Sequence, residues 1–484
     1  MHRSVVDDVV EDVRPFSVQD LSLAIEALKQ VDKPSQDTSP PSTPQYSTFQ
    51  SKADGFADLK AVRSDRIRED EEPLVAVIGC GYVGTQLIGS FSTQYNVLGF
   101  DVSKAQLQRV QEEHGGEGSR ATFTLNPRDL AKATHFLISV PTLLKADKTI
   151  DTSYVKSALM NIRTYARPGS TVVIESSVAI GMTRQLLGPL AQEKGFFAGM
   201  SPERVDPGRT DPPMKTIPKV LSGLDDVVPG SLNAIMRLYS RVFDTIVPVS
   251  SPETAEMTKL YENCQRMVAI AYANEMADAC IDHGIDPYEV CRAASTKPFG
   301  YTPYTPSLGV GGHCIPVNPY YLLSNSQFPF LKMATETMWQ RPERIAQRAL
   351  DALFGGKPQD IELDGLFTNN MTIEPPSPIK TFKSFRPRVL VAGVGFKAGQ
   401  SHLSNSPGLK LIQSLADSQQ VDVMFADALV EQCAVPNVPR LDMYDWNKTS
   451  LERFDMIIVS FKQHGMDFEI LKELNDVKVE MWCP

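Results

Sequence analysis

Residues 74–84 read LVAVIGCGYVG, and this stretch decides the fold. Its first five residues form a short apolar run that is typical of a buried parallel strand. Glycines then stand at 79, 81 and 84, in the spacing G-x-G-x-x-G, and open a helical pattern. The first glycine permits a tight turn, the second lets the backbone approach a pyrophosphate, and the third lets the helix pack closely on the strand.

A carboxylate completes this pattern. Asp101 ends the next apolar run, NVLGFD, 17 residues after Gly84. A carboxylate there accepts hydrogen bonds from a ribose 2′-hydroxyl and repels a 2′-phosphate, which favours NAD over NADP. The alternative, a doubly wound fold without a nucleotide, is disfavoured by the complete strand–glycine–helix–strand pattern. The candidate cofactor-binding residues in this pattern are Gly79, Gly81, Tyr82, Val83, Gly84 and Asp101.

Similar apolar runs recur along the chain. HFLISVP and TVVIESS follow the first two runs, and RVLVAGV, VDVMFAD and FDMIIVS come after residue 387. Strands that alternate with helical patterns predict parallel, doubly wound sheets. No Gly or Pro lies between Glu253 and His283, which predicts a long helix over 252–282. The predicted fold class is therefore α/β, with two doubly wound (Rossmann-like) domains joined by a long central helix.

Composition shifts divide the chain into five expected segments. Residues 1–72 are expected to be an extension, partly disordered because 33–52 are rich in Pro, Ser, Thr and Gln, with one short helix over 17–31. Residues 284–325 are rich in Gly, Pro and Tyr and predict loop, and a second helix is expected over 342–354. The expected segments are 1–72, the NAD-binding domain 73–250, a central helical region 251–355, a linker or insertion 356–385, and a second α/β domain 386–484.

The bulk composition excludes several classes of protein. A net charge of −10 does not suggest a partner that is a nucleic acid or a membrane surface. We expect no transmembrane helix, because no apolar stretch is long enough. The seven cysteines are dispersed and contain no CxxC pair, which disfavours a disulfide framework or a metal site. We therefore expect a reduced, cytoplasmic chain whose ligand is a small molecule.

A second motif supplies a nucleophile. Residues 309–314 read GVGGHC, so that three glycines surround Cys314 and allow close packing against a ligand. Lys259 and Asn263 are four residues apart and share one face of the predicted helix. An ammonium beside a carboxamide can stabilise an oxyanion and lower the pKa of a thiol. The alternatives are a buried, inert cysteine and a solvated lysine.

At this point the sequence resembles the UDP-glucose/GDP-mannose dehydrogenase family over roughly residues 74–484. The resemblance is specific up to residue 325 and poorer after it, and KPFG (297–300) with HCIP is similar to the branch that oxidises UDP-N-acetylhexosamines. The motifs that carry it are VIGCGYVG (77–84), SVPT (139–142), ESSV with GMT (175–183), SPERVDPG (201–208), AEMTKLYENC (255–264) and GVGGHCIPVNPYYL (309–322).

The resemblance implies a four-electron oxidation of a sugar C6 alcohol to a uronic acid, with two NAD consumed. Cys314 would add to the intermediate aldehyde, because an aldehyde has no hydride to give until a nucleophile makes it tetrahedral. A thiohemiacetal and then a thioester would form, and water would release the acid. By resemblance, Lys259 and Asn263 hold the developing alkoxide, and Glu203 assists acid/base steps through a water.

The resemblance also implies the remaining contacts. Residues 386–484 would bind the UDP portion of the substrate, and the central helix would form a homodimer interface. His313 is assigned a structural or substrate-contact role rather than that of a catalytic base. Further cofactor contacts fall on Pro141, Thr142 and Ser177, the last where the family usually has a water-binding Thr. Substrate contacts fall on Glu203, Arg204, Lys259, Asn263, Gly311, Gly312 and Lys397.

The chain departs from the family pattern at three places. Asn318 stands where the family most often has an Asp, and a carboxamide cannot take a proton at neutral pH. Ser404 stands where the family has an Arg, in a stretch reading SHLSNSP (401–407). The chain ends in Met-Trp-Cys-Pro, where relatives continue with an Asp-x-Arg-Asn-like segment. The distal substrate cradle is therefore expected to be altered more than the cofactor and thiol machinery.

Two other functions remain open from the sequence. One is a two-electron oxidation of the 3-hydroxyacid or 6-phosphogluconate type, which would have no use for the glycine-flanked Cys314. The other is a non-catalytic or substrate-altered homologue with a degraded UDP-binding domain, which Asn318 and Ser404 favour and which the intact Lys259 and Asn263 oppose.

Overall fold

The computed structural model describes residues 71–206, 209, 211–355 and 386–484. Within these ranges the strands form an eight-stranded sheet, a four-stranded sheet and a two-stranded hairpin. The predicted helix over 17–31 and the predicted linker over 356–385 lie outside the described residues, as does nearly all of the expected extension.

The large sheet contains the glycine motif. Its strands are β1 (Leu74–Ile78), β2 (Asn96–Phe100), β3 (Ala121–Thr124), β4 (His135–Ile138), β7 (Thr171–Ile174), β8 (Phe197–Met200), β9 (Lys219–Gly223) and β10 (Ile246–Pro248). They stand in the order β10-β9-β8-β7-β4-β1-β2-β3. The chain leaves β1 towards one edge and returns at β4 to build the other, so the strand order reverses between β1 and β4. Ligands of such sheets bind at this point, beyond the carboxyl ends of the strands.

The predicted doubly wound sheet is confirmed, with one difference at its edge. The six strands from β3 at one edge to β8 (β3, β2, β1, β4, β7 and β8) are parallel, whereas β9 runs antiparallel to β8 and β10 is parallel to β9. The apolar runs are continuous rather than alternating, because helices cover both faces of the sheet. All residues of β7, for example, are buried.

The second sheet is smaller and wholly parallel. Its strands are β11 (Arg388–Ala392), β12 (Asp422–Ala426), β13 (Met456–Val459) and β14 (Lys478–Met481), in the order β12-β11-β13-β14. The remaining strands, β5 (Leu143–Leu144) and β6 (Ile150–Asp151), form the hairpin.

The helices are α1 (Tyr82–Phe91), α2 (Lys104–His114), α3 (Ser153–Tyr165), α4 (Met182–Lys194), α5 (Ser231–Tyr239), α6 (Pro252–Asp282), α7 (Pro287–Ala294), α8 (Asn318–Leu323), α9 (Pro329–Phe354), α10 (Pro407–Asp417) and α11 (Lys448–Leu451).

The long central helix is confirmed as α6. Two predictions beside it are wrong. The helix expected over 342–354 begins at Pro329 instead, because Pro342 lies inside it rather than at its start. The expected loop over 284–325 contains α7 and α8, each opened by a proline in its first turn. Proline is favoured in the first turn of a helix, so prolines that suggested a loop instead mark the starts of α7 and α8.

Two long helices connect the two sheets. Helix α9 packs against α6 on one side, and on the other its C-terminal half joins the apolar core of the second domain. Arg341 of α9 is buried and pairs with Asp278 of α6, at 2.6 and 3.0 Å. Its guanidinium also faces the ring of Trp482, 5.3 Å from the ring centroid. The C-terminal segment, where the chain departs from the family pattern, is thus tied to the central helices.

None of the helices in the described part of the chain is both long and apolar enough to cross a membrane.

We predict that Arg341→Met lowers the free energy of unfolding by about 2 kcal/mol, because Asp278 and the carbonyl oxygen of Ser307 lose hydrogen bonds from a buried guanidinium, although Arg348 still pairs with Asp278. Urea unfolding followed by circular dichroism measures this change. The control is Arg344→Met on the same helix, whose pair with Glu275 is exposed and should contribute less than about 1 kcal/mol. Equal losses in the two variants would contradict the prediction.

Candidate active site

Close backbone contacts leave no room for a side chain at two positions of the glycine motif. Gly79 follows β1 with φ +91°, and a Cβ there would lie 2.8 Å from the carbonyl oxygen of Ser139. A Cβ on Gly84 would lie only 1.9 Å from the carbonyl oxygen of Gly79. A Cβ on Gly81 would meet no atom within 4 Å, so this residue faces open space. The first and third glycines are thus needed for packing, and the second leaves room for a ligand.

The loop ends at a helix terminus that is open to a phosphate. Helix α1 begins with Tyr82 and Val83, and its N-cap residue is Gly81, which has no side chain to cap the helix. Free N–H groups at a helix N-terminus bind phosphate. Asp101 lies beside them, with one carboxylate oxygen accepting from the backbone N of Cys80 at 2.8 Å and the other from that of Ser103 at 2.8 Å. The loop, the helix terminus and the carboxylate together fit a dinucleotide.

The other predicted cofactor residues lie at the ends of neighbouring strands. Pro141 and Thr142 follow β4 and lead into the β5–β6 hairpin. Ser177 follows β7, and the adjacent Ser176 donates to the carbonyl oxygen of Val140 at 2.7 Å. Because β4 and β7 are parallel neighbours, these residues lie at the same edge of the sheet, in continuity with the glycine loop.

The cysteine loop packs against α6. Asn263 is buried, and its amide nitrogen donates to the side-chain oxygen of Asn318, while its own oxygen accepts from Arg266. The backbone N of Asn318 donates to the carbonyl oxygen of Cys314 at 2.9 Å. An amide nitrogen has two hydrogens, so Asn263 retains one N–H for a further acceptor. Asn318 acts as an acceptor here, which is what an Asp would also do.

Lys259 connects the cysteine to the buried carboxylates. Burial lowers the pKa of Lys259, while the neighbouring Cys314 and Glu203 favour its charged form. The predicted nucleophile, ammonium and carboxylate are therefore close enough to interact. Helix geometry places Lys259 one turn before Asn263 on the same buried face.

Behind Glu203 lies a buried cluster of charges. The ammonium of Lys219, in β9, lies 2.6 Å from an oxygen of Glu203 and 2.7 Å from an oxygen of Glu175. The hydroxyl of Tyr239 donates to the second oxygen of Glu175. The second oxygen of Glu203 accepts from the backbone N of the two following residues, at 2.6 and 2.9 Å.

The glycines before Cys314 contact the second α/β domain. The backbone N of Gly312 donates to the carbonyl oxygen of Ser404 at 2.9 Å, and the side chain of Asn405 donates to the carbonyl oxygen of Gly312 at 2.8 Å. A Cβ on Gly311 would lie 3.0 Å from the side chain of Phe396. The contact with Ser404 uses only backbone atoms, so the Ser that replaces the family's Arg does not disturb it.

Two of the predicted substrate-binding cations, Arg204 and Lys397, have protein partners. Arg204 pairs with Glu262 of α6 at 2.5 Å and donates to a backbone carbonyl at 3.0 Å. Lys397 lies 3.5 Å from Asp206, a pair that links the second α/β domain to the loop after β8. His313 is exposed beside the cysteine.

The sequence analysis missed Glu175, Lys219 and Tyr239. Glu175 belongs to the ESSV motif, and its place directly after a buried strand is a signal that could have identified it. Lys219 opens the apolar run KVLSG, and Tyr239 ends an ordinary helical pattern, so neither carries a comparable signal. Lys219 meets Glu203 and Glu175 because β7, β8 and β9 are adjacent in the sheet, and Tyr239 reaches Glu175 from α5.

We predict that Asp101→Ser weakens NAD binding about 10-fold or more and narrows the preference for NAD over NADP, because the hydrogen bonds and the charge of the carboxylate are lost. Calorimetric titration with each cofactor measures both effects. Asp244→Ser, at an exposed position, is the control. An equal loss for both cofactors would show that Asp101 only supports the loop.

Two family models match the chain. Residues 113–243 match the NAD binding domain of the UDP-glucose/GDP-mannose dehydrogenase family, and residues 253–338 match its central domain.

Relatives match over a longer part of the chain. The chain is 31% identical to the UDP-N-acetyl-D-glucosamine 6-dehydrogenase of Pseudomonas aeruginosa, over 72% of this chain and 82% of that one. It is 28% identical to the UDP-N-acetyl-D-mannosamine dehydrogenase of Pyrococcus horikoshii, over 71% and 81%. The solved structure described as UDP-D-ManNAc dehydrogenase from Pyrococcus horikoshii superposes with a TM-score of 0.68 at 25% identity, covering 84% of this chain and 99% of that one. The chain therefore belongs to the UDP-glucose/GDP-mannose dehydrogenase family and is an NAD-dependent dehydrogenase of nucleotide sugars.

Proposed function

We propose that the chain oxidises the C6 alcohol of a UDP-N-acetylhexosamine to the uronic acid, through a covalent intermediate on Cys314. The observation that carries the proposal is that the turn after Cys314 is bonded to the buried face of α6 through Asn263 and Asn318, one helical turn from the buried Lys259. A two-electron dehydrogenase needs no nucleophile at this place. The substrate class rests on the two relatives, whose names give UDP-N-acetyl-D-glucosamine and UDP-N-acetyl-D-mannosamine.

The residues divide the chemistry between them. Gly81, the N-terminus of α1 and Asp101 would hold NAD, which accepts a hydride in each oxidation when bound. The thiolate of Cys314 forms a C–S bond to the aldehyde carbon, and Lys259 with the free N–H of Asn263 stabilises the oxyanion that results.

Hydrolysis of the thioester requires a base. Water adds to the thioester carbon, the C–S bond breaks, and the thiolate of Cys314 leaves. Asn318 cannot take the proton that the water loses. We assign this proton to Glu203, whose pKa is lowered: burial alone would raise it, but the adjacent Lys219 and Lys259 outweigh burial. The carboxylate is therefore ionised and can act as base at neutral pH.

The second α/β domain supplies the nucleotide contacts in this proposal. Phe396 lies against Gly311 and Gly312, and the next residue, Lys397, pairs with Asp206, so the UDP portion would lie between this domain and the cysteine loop. All seven cysteines are free thiols, which suits a reaction that depends on a reduced cysteine in the cytoplasm.

We predict that Cys314→Ser lowers turnover by about 10³-fold or more, because the aldehyde can no longer be made tetrahedral by a thiolate. NADH formation at 340 nm, with UDP-N-acetylglucosamine and UDP-N-acetylmannosamine, measures the loss, and the unaltered protein should form two NADH per sugar. Cys433→Ser, at an exposed cysteine, is the control. One NADH per sugar in the unaltered protein, with full activity in Cys314→Ser, would establish a two-electron enzyme instead.

We propose also that α6 pairs with α6 of a second copy of the chain. Tyr261 and Tyr272 of this helix are 70% and 63% exposed, and Met257 and Met276 extend the same line at four-residue spacing. An apolar line of this length on an exposed helix face needs cover.

We predict that the double variant Tyr261→Glu/Tyr272→Glu is monomeric, because four glutamates would meet in the interface of two copies. Light scattering during size-exclusion chromatography measures the mass. Tyr444→Glu, at an exposed position in the second α/β domain, is the control and should leave the mass unchanged. A dimer in the double variant would locate the interface elsewhere.

A further inference from the structure

We propose that Lys219 and Glu175 are positioning residues for thioester hydrolysis, with Lys219 holding Glu203 ionised and in place and Glu175 holding Lys219. The inference rests on the proposed function, in which Glu203 takes the proton of the hydrolytic water. It adds two residues that do not touch the reacting atoms and act only through Glu203.

The first support is the geometry of the three charges. The ammonium of Lys219 bridges the carboxylates of Glu203 and Glu175 at 2.6 and 2.7 Å. The side chains of Lys219, Glu175 and Glu203 are only 4%, 0% and 4% exposed. Burying these charges removes their hydration, which costs free energy. Such charges are retained only where good hydrogen-bonding geometry compensates for that loss.

The second support is the set of groups around Glu203. One oxygen accepts from Lys219, and the other accepts from the backbone N of Arg204 and Val205. All three partners are donors, so they favour the ionised carboxylate over the acid. The oxygen that accepts from Lys219 has a second lone pair, which leaves Glu203 able to accept from a water while its orientation is fixed.

The third support is where the cluster ends. Tyr239, the last member, is fully buried and packs against Phe91 and Phe243, with ring centroids 5.2 and 5.8 Å apart. The cluster thus ends in the apolar core rather than at solvent. It cannot carry protons away from the site, and its role is to hold a fixed arrangement of charge.

The charged groups that face Glu203 come from three elements. Lys219 of β9 and Lys259 of α6 are the cations, and Glu175, at the end of β7, lies behind Lys219. Two carboxylates thus balance two ammonium groups. Without Lys219, burial of Glu203 would be opposed only by Lys259 and the backbone donors, and the pKa of Glu203 would rise. The base form would then be lost at a higher pH.

The test measures hydrolysis of the thioester directly. The enzyme is mixed with UDP-N-acetylglucosamine or UDP-N-acetylmannosamine and excess NAD, quenched at intervals, and the acyl-enzyme on Cys314 is followed by mass spectrometry across pH. The hydrolysis rate falls at low pH as the base becomes protonated, and this fall is the acid limb of the pH profile. In Lys219→Met we expect the acid limb to shift to higher pH by about 1 to 3 pH units. In Glu175→Gln we expect it to stay or to move down, because a negative charge near Glu203 is removed.

Only Lys219→Met is expected to move the limb upward, whereas a general loss of structure would affect the two variants alike. Because Lys219→Met leaves two buried carboxylates, the double variant Lys219→Met/Glu175→Gln, with a single buried carboxylate, is measured as well and should also show the upward shift. An acid limb that stays in place in the double variant would overturn the inference.

Glu203→Gln separates this inference from the proposed function. If hydrolysis slows about 100-fold or more and acyl-enzyme accumulates, Glu203 is the base and the pH limbs of the Lys219 variants decide the inference. If hydrolysis in Glu203→Gln is as fast as in the unaltered protein, the proposed role of Glu203 fails and the inference fails with it.

Discussion

One buried face of helix α6 is the constraint on which the rest of the structure depends. Its polar residues bond to a different element at each turn. Glu256 accepts from two backbone N–H groups at the start of α4, at 2.6 and 2.8 Å, and Asn263 donates to Asn318 of α8. Asn274 accepts from the backbone N of Ser307 at 2.8 Å, ahead of the cysteine loop. Because these residues recur at helical spacing, a single rigid rod aligns the NAD domain with the cysteine loop.

The cysteine loop is held from a second side by the other α/β domain. This contact explains how the departures at 401–404 are compatible with the fold. Gly312 bonds to the carbonyl oxygen of Ser404, and any residue has that carbonyl. The missing Arg therefore does not affect the contact between this domain and the cysteine loop. Trp482 of the C-terminal segment likewise packs on the buried Arg341.

Much of the NAD domain could be predicted because its signals are local. The steric need for glycine at 79 and 84 acts over a few residues, and the buried strands are apolar throughout. Edge strands β9 and β10 reverse direction without any such signal. The sequence did not predict the first turns of α7, α8 and α9. Each of these helices opens with a Pro in its first turn, and composition alone does not distinguish such a proline from a loop proline.

The sequence by itself determined the chemistry that is available: a dinucleotide loop, a cysteine among glycines, and Lys259 with Asn263 on one helix face. Each depends on spacing within one segment, where backbone sterics and helical period act directly. Only the tertiary structure decided which groups surround Glu203. Lys219 and Glu175 are 16 and 28 residues away along the chain, and they meet it because three strands are neighbours in one sheet. Burial strengthens the electrostatic interactions between these charges, because solvent no longer screens them. Burial is a property of the packed fold and cannot be read from any one segment.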